Sequence, residues 1–416
     1  MPPSRPHVVV AGGGVAAVEF VLALHDLAGD RICLTIVAPD PDFELRPLRT
    51  AEPFARDHVR RHALKDLATR VGADLVAERL DRVDPEAHRI QAGDRTIAYD
   101  SLVVAVGGQH VPAFKKALTF AGDTSTIDYS GLLADIDEGY THTVSFVVGP
   151  GTSWPLPLYE LALMTAGEAW GAGIDDLRLQ LVSHESAPLA IFGPKASQAI
   201  RQLLDRAGIS FHGSAYVRET VEHHFELLPS RERLDSQRVV TLPLIVGPAI
   251  DGLPRDERGF IPTDDQGHVV GLRDVYAAGD GTTFPVKQGG IACQQADAIA
   301  ELLAAAAGAP VTPKPFRPVL RGRVLAGRSA AYLEHALHGG AGDGPDAELQ
   351  LWSAPHKVEG RHLTPWLAEL EDPSSAPTPA DEPGDIRVEV ELPTGQDARA
   401  FDLHSPAPAM AHRTSR

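Results

Sequence analysis

Short apolar runs alternate with amphipathic stretches along most of the first 300 positions of this 416-residue chain. Val8–Ala11 is an apolar strand running into glycines, and Val18, Val21, Leu22 and Leu24 then recur at helical spacing to about Ala28. A second strand is expected over Ile32–Val37, and strand-like stretches follow in Ala73–Asp84 and Ile97–Val106. The pattern repeats after about Thr119, with strands at Thr143–Val148 and Leu177–Ser183, a helix near Ala196–Ala207 and strands up to Leu242–Val246. Val275–Ala278 is a further strand, and the next helix starts near Gly289–Gly290 and becomes alanine-rich over Gln294–Ala307. A helix is also predicted around Ala55–Arg70, placing His58 and His62 on one face. Strand–helix alternation of this kind predicts an α/β fold built on parallel sheets.

The turns carry the chemistry. In HVVVAGGGVAAVEF, Gly12, Gly14 and Ala17 occupy the three small positions of a G-x-G-x-x-G/A turn between strand and helix. Gly12 permits the tight turn, Gly14 lets a pyrophosphate approach the backbone, and Ala17 lets the helix pack closely, with the helix N-terminal amides facing the phosphates. The usual acidic ribose partner would stand at the end of the second strand; Ala38 and Pro39 are there, so Asp40 is the nearest candidate. Arg46 and Arg49 lie where a pyrophosphate or flavin edge could be met, or are solvated loop arginines. Far along the chain, VYAAGDGTTFPVKQGG brings Gly279 and Asp280 to a turn where a carboxylate can accept a ribityl hydroxyl, with Lys287 and the Gly289–Gly290 helix start beyond. Together the two segments describe a flavin dinucleotide held at both ends.

A second glycine turn, at Gly149 and Gly151, is altered. Trp154 takes the third small position, and Pro155 and Pro157 follow at once. Bulk there holds a helix away from its strand and fills pyrophosphate space, so a dinucleotide fold kept as scaffold competes with an NAD(P)H site. Glu160, after this turn, and Glu185, after the next strand, are candidates for contacting a group over the flavin.

Composition narrows the partners. A formal net charge of −18 disfavours nucleic acid and anionic lipid docking, and 43% hydrophobic content supports two or three cores. No apolar run is long enough to span a bilayer, and Met1–Pro6 leads straight into a strand without a secretory signal. Two cysteines, Cys33 and Cys293, suit a reducing cytosol. Residues 1–118 and 256–315 are expected to form an FAD-binding domain, 119–255 an NAD(P)-like domain, 316–370 a small C-terminal domain and 371–416 a flexible tail with a strand at Ile386–Leu392. The patch Trp352, Pro355, Lys357 and Trp366 is a candidate substrate or dimer face.

The order GGGVAAVE, YDSLVVAVGG, a second glycine-strand unit and VYAAGDGTTFPVKQGG resembles the two-dinucleotide-fold FAD-dependent pyridine nucleotide oxidoreductases. Within them it is most similar to the branch of sulfide:quinone oxidoreductases and type II NADH dehydrogenases. The resemblance covers residues 5–370 and implies two Rossmann-like domains, FAD-binding and NAD(P)-like. It implies FAD along Gly12, Gly14, Val15, Ala16 and Ala17, with Asp40, Arg46 and Gly107 beside it. The ribityl chain falls near Gly279 and Asp280, and the isoalloxazine near Lys287, Gly289, Gly290 and Ile291. Lys287 and Glu160 are the candidate catalytic residues.

Departures shape the expected function. Val15–Leu27 contains no cysteine, which excludes a dithiol mechanism, and Cys293 alone cannot cycle through an internal disulfide. In the quinone motif after the GD strand, Ala292 and Gln294 match while Gly290 replaces a glutamine; no metal site is expected. The expectation is an FAD-dependent oxidoreductase passing electrons from NAD(P)H or another small donor to a quinone-like or other small acceptor. The rivals are a flavoprotein without turnover and a sulfide:quinone-type enzyme. A cytoplasmic protein fits, as does peripheral contact at the inner face of a membrane, and a homodimer is compatible.

Overall fold

The protein, seen in a computed structural model, is described over residues 5–222, 224–324, 357–370 and 386–391. Two five-stranded parallel sheets form its frame. The first runs Val275–Ala277, Ser101–Val104, His7–Ala11, Cys33–Val37, Asp74–Val76 in space. The second runs Leu118–Thr119, Arg238–Thr241, Thr143–Val147, Arg178–Val182, Ile209–His212. His7–Ala11 and Thr143–Val147 are paired on both sides and covered on both faces, which is why each is apolar with little polar alternation.

Alternation along His7–Ala11 still decides which layer each residue meets. Val8 and Val10 face the helices Val15–Ala28 and Gly289–Ala306, among Ala16, Ala17, Ala292 and Ala296. Val9 and Ala11 face the antiparallel sheet Leu80–Asp84, Arg89–Ala92, Arg95–Ala98, through Val83 and Ile90. Small residues let the two helices lie close to each other over the sheet. In the second unit, Leu156–Gly171 is buried on almost every side, and its core residues join Asp123–Asp137 and Gly193–Arg206 around Phe146 and Leu181. Gln109–Val111 and Leu244–Val246 pair antiparallel where the chain crosses between the units.

The C-terminal part is threaded between these units. Val319–Val324 pairs antiparallel with Ile386–Glu391, so the expected tail strand exists. Leu320 and Val324 sink into the second unit's core, while Gln294 clamps the Val319 main chain with two bonds of 2.8 Å. Leu363–Leu370 packs Leu363, Trp366 and Leu367 onto the first unit. Trp352 and Pro355 lie outside the described residues.

One expected element is wrong. There is no helix over Ala55–Arg70: Arg46–Phe54 is a 3₁₀ helix, Arg61–Ala63 is a strand paired with Asp42–Glu44, and only Leu64–Val71 is α-helical. The half-buried Glu44 draws in Arg61 at 2.8 Å, and this ion pair favours strand pairing in the middle of the expected helix. His58 and His62 therefore share no helix face. Among the described residues, no helix is long and apolar enough to cross a membrane.

Candidate functional site

The Gly12 turn is built by contacts that only glycine allows. Gly12 has φ +134°, and a Cβ there would lie 2.2 Å from the Ala105 carbonyl oxygen; its amide donates to Val37 O at 2.8 Å, tying the turn to the second strand. Gly14 differs in kind. It is the N-cap of Val15–Ala28 with no side-chain cap, and a Cβ on it would meet nothing within 4 Å. The helix therefore opens with uncapped amides toward free space, which is what an anion needs. Val15 is half-buried, and Ala16 and Ala17 are buried beneath it. Asp40 is exposed three residues beyond the Cys33–Val37 strand.

The second half of this cleft arrives with Gly279. It has φ +82°, its amide donates to Gln295 Oε1 at 2.7 Å, and a Cβ would press within 3.2 Å of Ala16. Thus the two glycine turns and the two helices converge on one place. Asp280 follows, half-buried, beside the Gly107–Gly108 bend, where Gly107 has φ +75° and open space over it. Burial pushes the Asp280 carboxyl up, opposed by the charges of Lys287 and His110.

Lys287 is almost fully buried. Its ammonium donates to the Thr282 carbonyl and lies 3.9 Å from the centre of the Phe260 ring. Burial lowers its value to about 7, with Asp280 pulling it back up, so it loses its charge close to neutral pH. The Gly289–Ala306 helix then begins: Gln288 Oε1 takes the Ile291 amide at 2.9 Å, leaving those of Gly289 and Gly290 without a partner among the described residues.

Glu160 is fully buried and forms an ion pair with Lys357 at 2.5 Å. Thr50 donates its hydroxyl to the same carboxylate oxygen at 3.0 Å, and Lys357 also reaches Thr50 Oγ1 and Pro47 O, both at 2.7 Å. The neighbouring Val358 packs over the Gly289 end of the helix: a Cβ on Gly289 would lie 2.9 Å from it. Three distant stretches thus close one corner of the cleft. Lys357 stood in the sequence only as part of an aromatic patch, and its partner lies 197 positions away. No spacing rule could have joined them.

Other expected residues are engaged elsewhere. Arg49 is bound to Glu44 at 2.5 Å, with Arg61 and the exposed Arg46 around the same carboxylate. Burial would raise Glu44, but the Arg49 hydrogen bond and the three guanidinium charges bring it below its ordinary value. Glu185 points inward, accepting from Tyr159 Oη at 2.9 Å, Ser183 Oγ at 3.0 Å and the Ala190 amide at 3.1 Å. Burial pushes Glu185 up and those three donors offset part of the push. Trp154 packs edge-on against Phe192 at 5.8 Å, beside the cluster holding Leu320 and Val324. Cys293 is buried, which drives its thiol well above the usual range, with Glu19, Asp297 and Glu359 adding to it.

Comparison with known proteins gives this geometry a context. A family model for pyridine nucleotide-disulphide oxidoreductases matches residues 6–300. No curated protein sequence matches the chain. Among solved structures, the sulfide:quinone oxidoreductase of Aquifex aeolicus superposes with TM-score 0.65 at 18% identity, over 76% of this chain and 79% of that one. A ferredoxin reductase of Rhodopseudomonas palustris gives TM-score 0.56 at 18% identity, over 76% and 79%. NDH2 of Plasmodium falciparum gives 0.56 at 15% identity, over 67% and 64%. At these identities the likeness is one of fold.

Proposed function

Because the chain belongs to the pyridine nucleotide-disulphide oxidoreductase family and is an FAD-dependent oxidoreductase, we propose that it carries electrons from a small donor other than NAD(P)H to a quinone-like acceptor. The observation that carries the donor half is the second glycine turn. Trp154 occupies its third small position and is packed against the core that holds Leu320 and Val324, and Glu185, where a ribose would be met, is bonded to Tyr159. Both are engaged within the protein at the positions where a glycine-turn fold holds a nicotinamide dinucleotide. The acceptor half takes its support from the fold shared with the Aquifex protein, whose name gives quinone as its substrate.

The first cleft fits FAD. The amides above Gly14 would hold the pyrophosphate, Asp280 a ribityl hydroxyl and Asp40 the adenosine ribose, while Gly107 leaves room beside the chain. FAD supplies two-electron transfer there. The protein supplies charge control: the Gly289 and Gly290 amides, and Lys287 while it is protonated, favour negative charge at the helix start. Next to them, the Glu160–Lys357 ion pair sits where water has little access. Cys293 is too deeply buried to relay sulfur.

The test is reoxidation. FAD-loaded protein reduced with dithionite under nitrogen is mixed with a soluble quinone in a stopped-flow instrument. Recovery of the yellow band within the time of a catalytic turnover is expected. Recovery no faster than free reduced FAD would discard quinone as acceptor and favour a flavoprotein without turnover.

A further inference from the structure

A pair of acidic side chains lies where the C-terminal strap, residues 357–370, meets the first unit. Glu19, on Val15–Ala28, is fully buried, and its two oxygens accept the main-chain amides of His362 at 2.9 Å and Leu363 at 2.6 Å. Those amides open the Leu363–Leu370 helix, so a side chain at the far end of the sequence caps it. Asp297, on Gly289–Ala306, is hydrogen-bonded to the same carboxyl. Two carboxyl groups in contact cannot both ionise cheaply. Since both Glu19 oxygens already receive N–H groups, the shared proton belongs to Asp297, which donates it to Glu19.

The surrounding charges do not remove this conflict. From the same helix come Glu301 and the buried Cys293; from the strap come Glu359, paired with Arg321 at 3.2 Å, and Arg361, paired with Glu301 at 3.2 Å. His362 pairs with Asp26 of the first helix at 2.8 Å. Arg361 is the cation that opposes the push on Asp297, and Glu301 answers it on the other side. The strap also has no slack: a Cβ on Gly360 would lie 2.5 Å from Glu19 Oε2 and 3.0 Å from Cys293 Sγ. Lys357 stands three residues before that point.

We propose that Glu19 is a positioning residue for Lys357: with the proton held by Asp297, it latches the strap so that Lys357 meets Glu160, and loss of that proton releases the lysine. The consequence for the flavin rests on the function proposed above; the latch itself does not. Burial, Glu19 and its hydrogen bond raise Asp297 to about 8, so release is expected as pH rises through that value.

Acetylation of Lys357 in the FAD-loaded full chain, normalised to the exposed Lys65, reads the latch directly. Wild type should be protected at pH 7 and lose protection by pH 9. Glu19→Gln, which presents an N–H donor to a strap amide, should label about tenfold faster at pH 7. Asp297→Asn, which keeps a donor toward Glu19 without a titrating proton, should stay protected at pH 9. Equal labelling of Glu19→Gln and wild type at pH 7, or a wild-type loss of protection retained in Asp297→Asn, overturns the latch. The flavin midpoint potential gives the separate reading. If Glu19→Gln frees Lys357 and the potential moves as it does in Lys357→Met, the positioning role holds. If Lys357 is freed and the potential stays, the latch survives and the placement of Lys357 beside the flavin falls.

Discussion

Lys357→Met tests whether the buried corner of the cleft is one coupled unit. The lysine side chain is 7% exposed, and its carboxylate partner Glu160 is fully enclosed. Truncating the cation leaves Glu160 charged in a dry place, with the Thr50 hydroxyl still donating to it. Breaking a buried pair from one side costs about 3–5 kcal/mol, and the retained hydroxyl offsets roughly 1 kcal/mol. The expected loss is therefore about 2–4 kcal/mol. Glu160→Gln in the Lys357→Met background removes the stranded charge. The double variant should then be more stable than Lys357→Met alone, with a coupling of about 2 kcal/mol. Urea denaturation of wild type, both single variants and the double variant gives the cycle, run with and without FAD. A Lys357→Met loss below about 0.5 kcal/mol, or additive single effects, would refute the coupled unit.

Three further outcomes follow from the same contacts. Gly14→Ala should cost the apo-protein about 1 kcal/mol or less yet weaken FAD binding at least roughly tenfold, whereas Gly12→Ala, facing a carbonyl at 2.2 Å, should compromise folding itself; calorimetry with and without FAD separates the two. For Lys287, the unfolded chain keeps its proton to about 10, while the folded lysine releases it near 7. Between those values the unfolded state binds more protons, so this lysine's contribution makes stability rise with pH by about 1 kcal/mol per unit. The difference between wild type and Lys287→Met in thermal midpoints from pH 6 to 10 should show that slope, and a flat difference would contradict it. Iodoacetamide at pH 8 should modify the exposed Cys33 and spare Cys293 in the folded protein, as peptide mass mapping would show.

Much of the frame was legible because glycine and apolar patterning report backbone events. The turn at Gly12, the strand Val275–Ala277 and the helix starting at Gly289 each follow from residues adjacent in sequence. The tail strand Ile386–Glu391 was legible for the same reason, from alternation within six residues. The stretch Ala55–Arg70 was misread because its fate depends on Glu44, which recruits Arg61 and turns a polar, arginine-rich segment into an edge strand. Asp280 and Lys287 were picked out by motif, but the Phe260 ring and Thr282 carbonyl that enclose Lys287 could not be. Glu160 was singled out without its partner. Lys357 and Glu19 become functional candidates only once the strap is laid across the first unit, since each meets its partner through contacts nearly 200 or more positions apart.

The altered second glycine turn sets the donor class. An anaerobic titration of FAD-loaded protein with NADH and then NADPH, followed at the visible flavin band, tests it most directly, with dithionite added last. The band is expected to persist through both nucleotides at millimolar concentration and to bleach only with dithionite. Bleaching by either nucleotide would mean that Trp154 and Glu185 leave room for a dinucleotide after all, and the proposed donor class would be wrong.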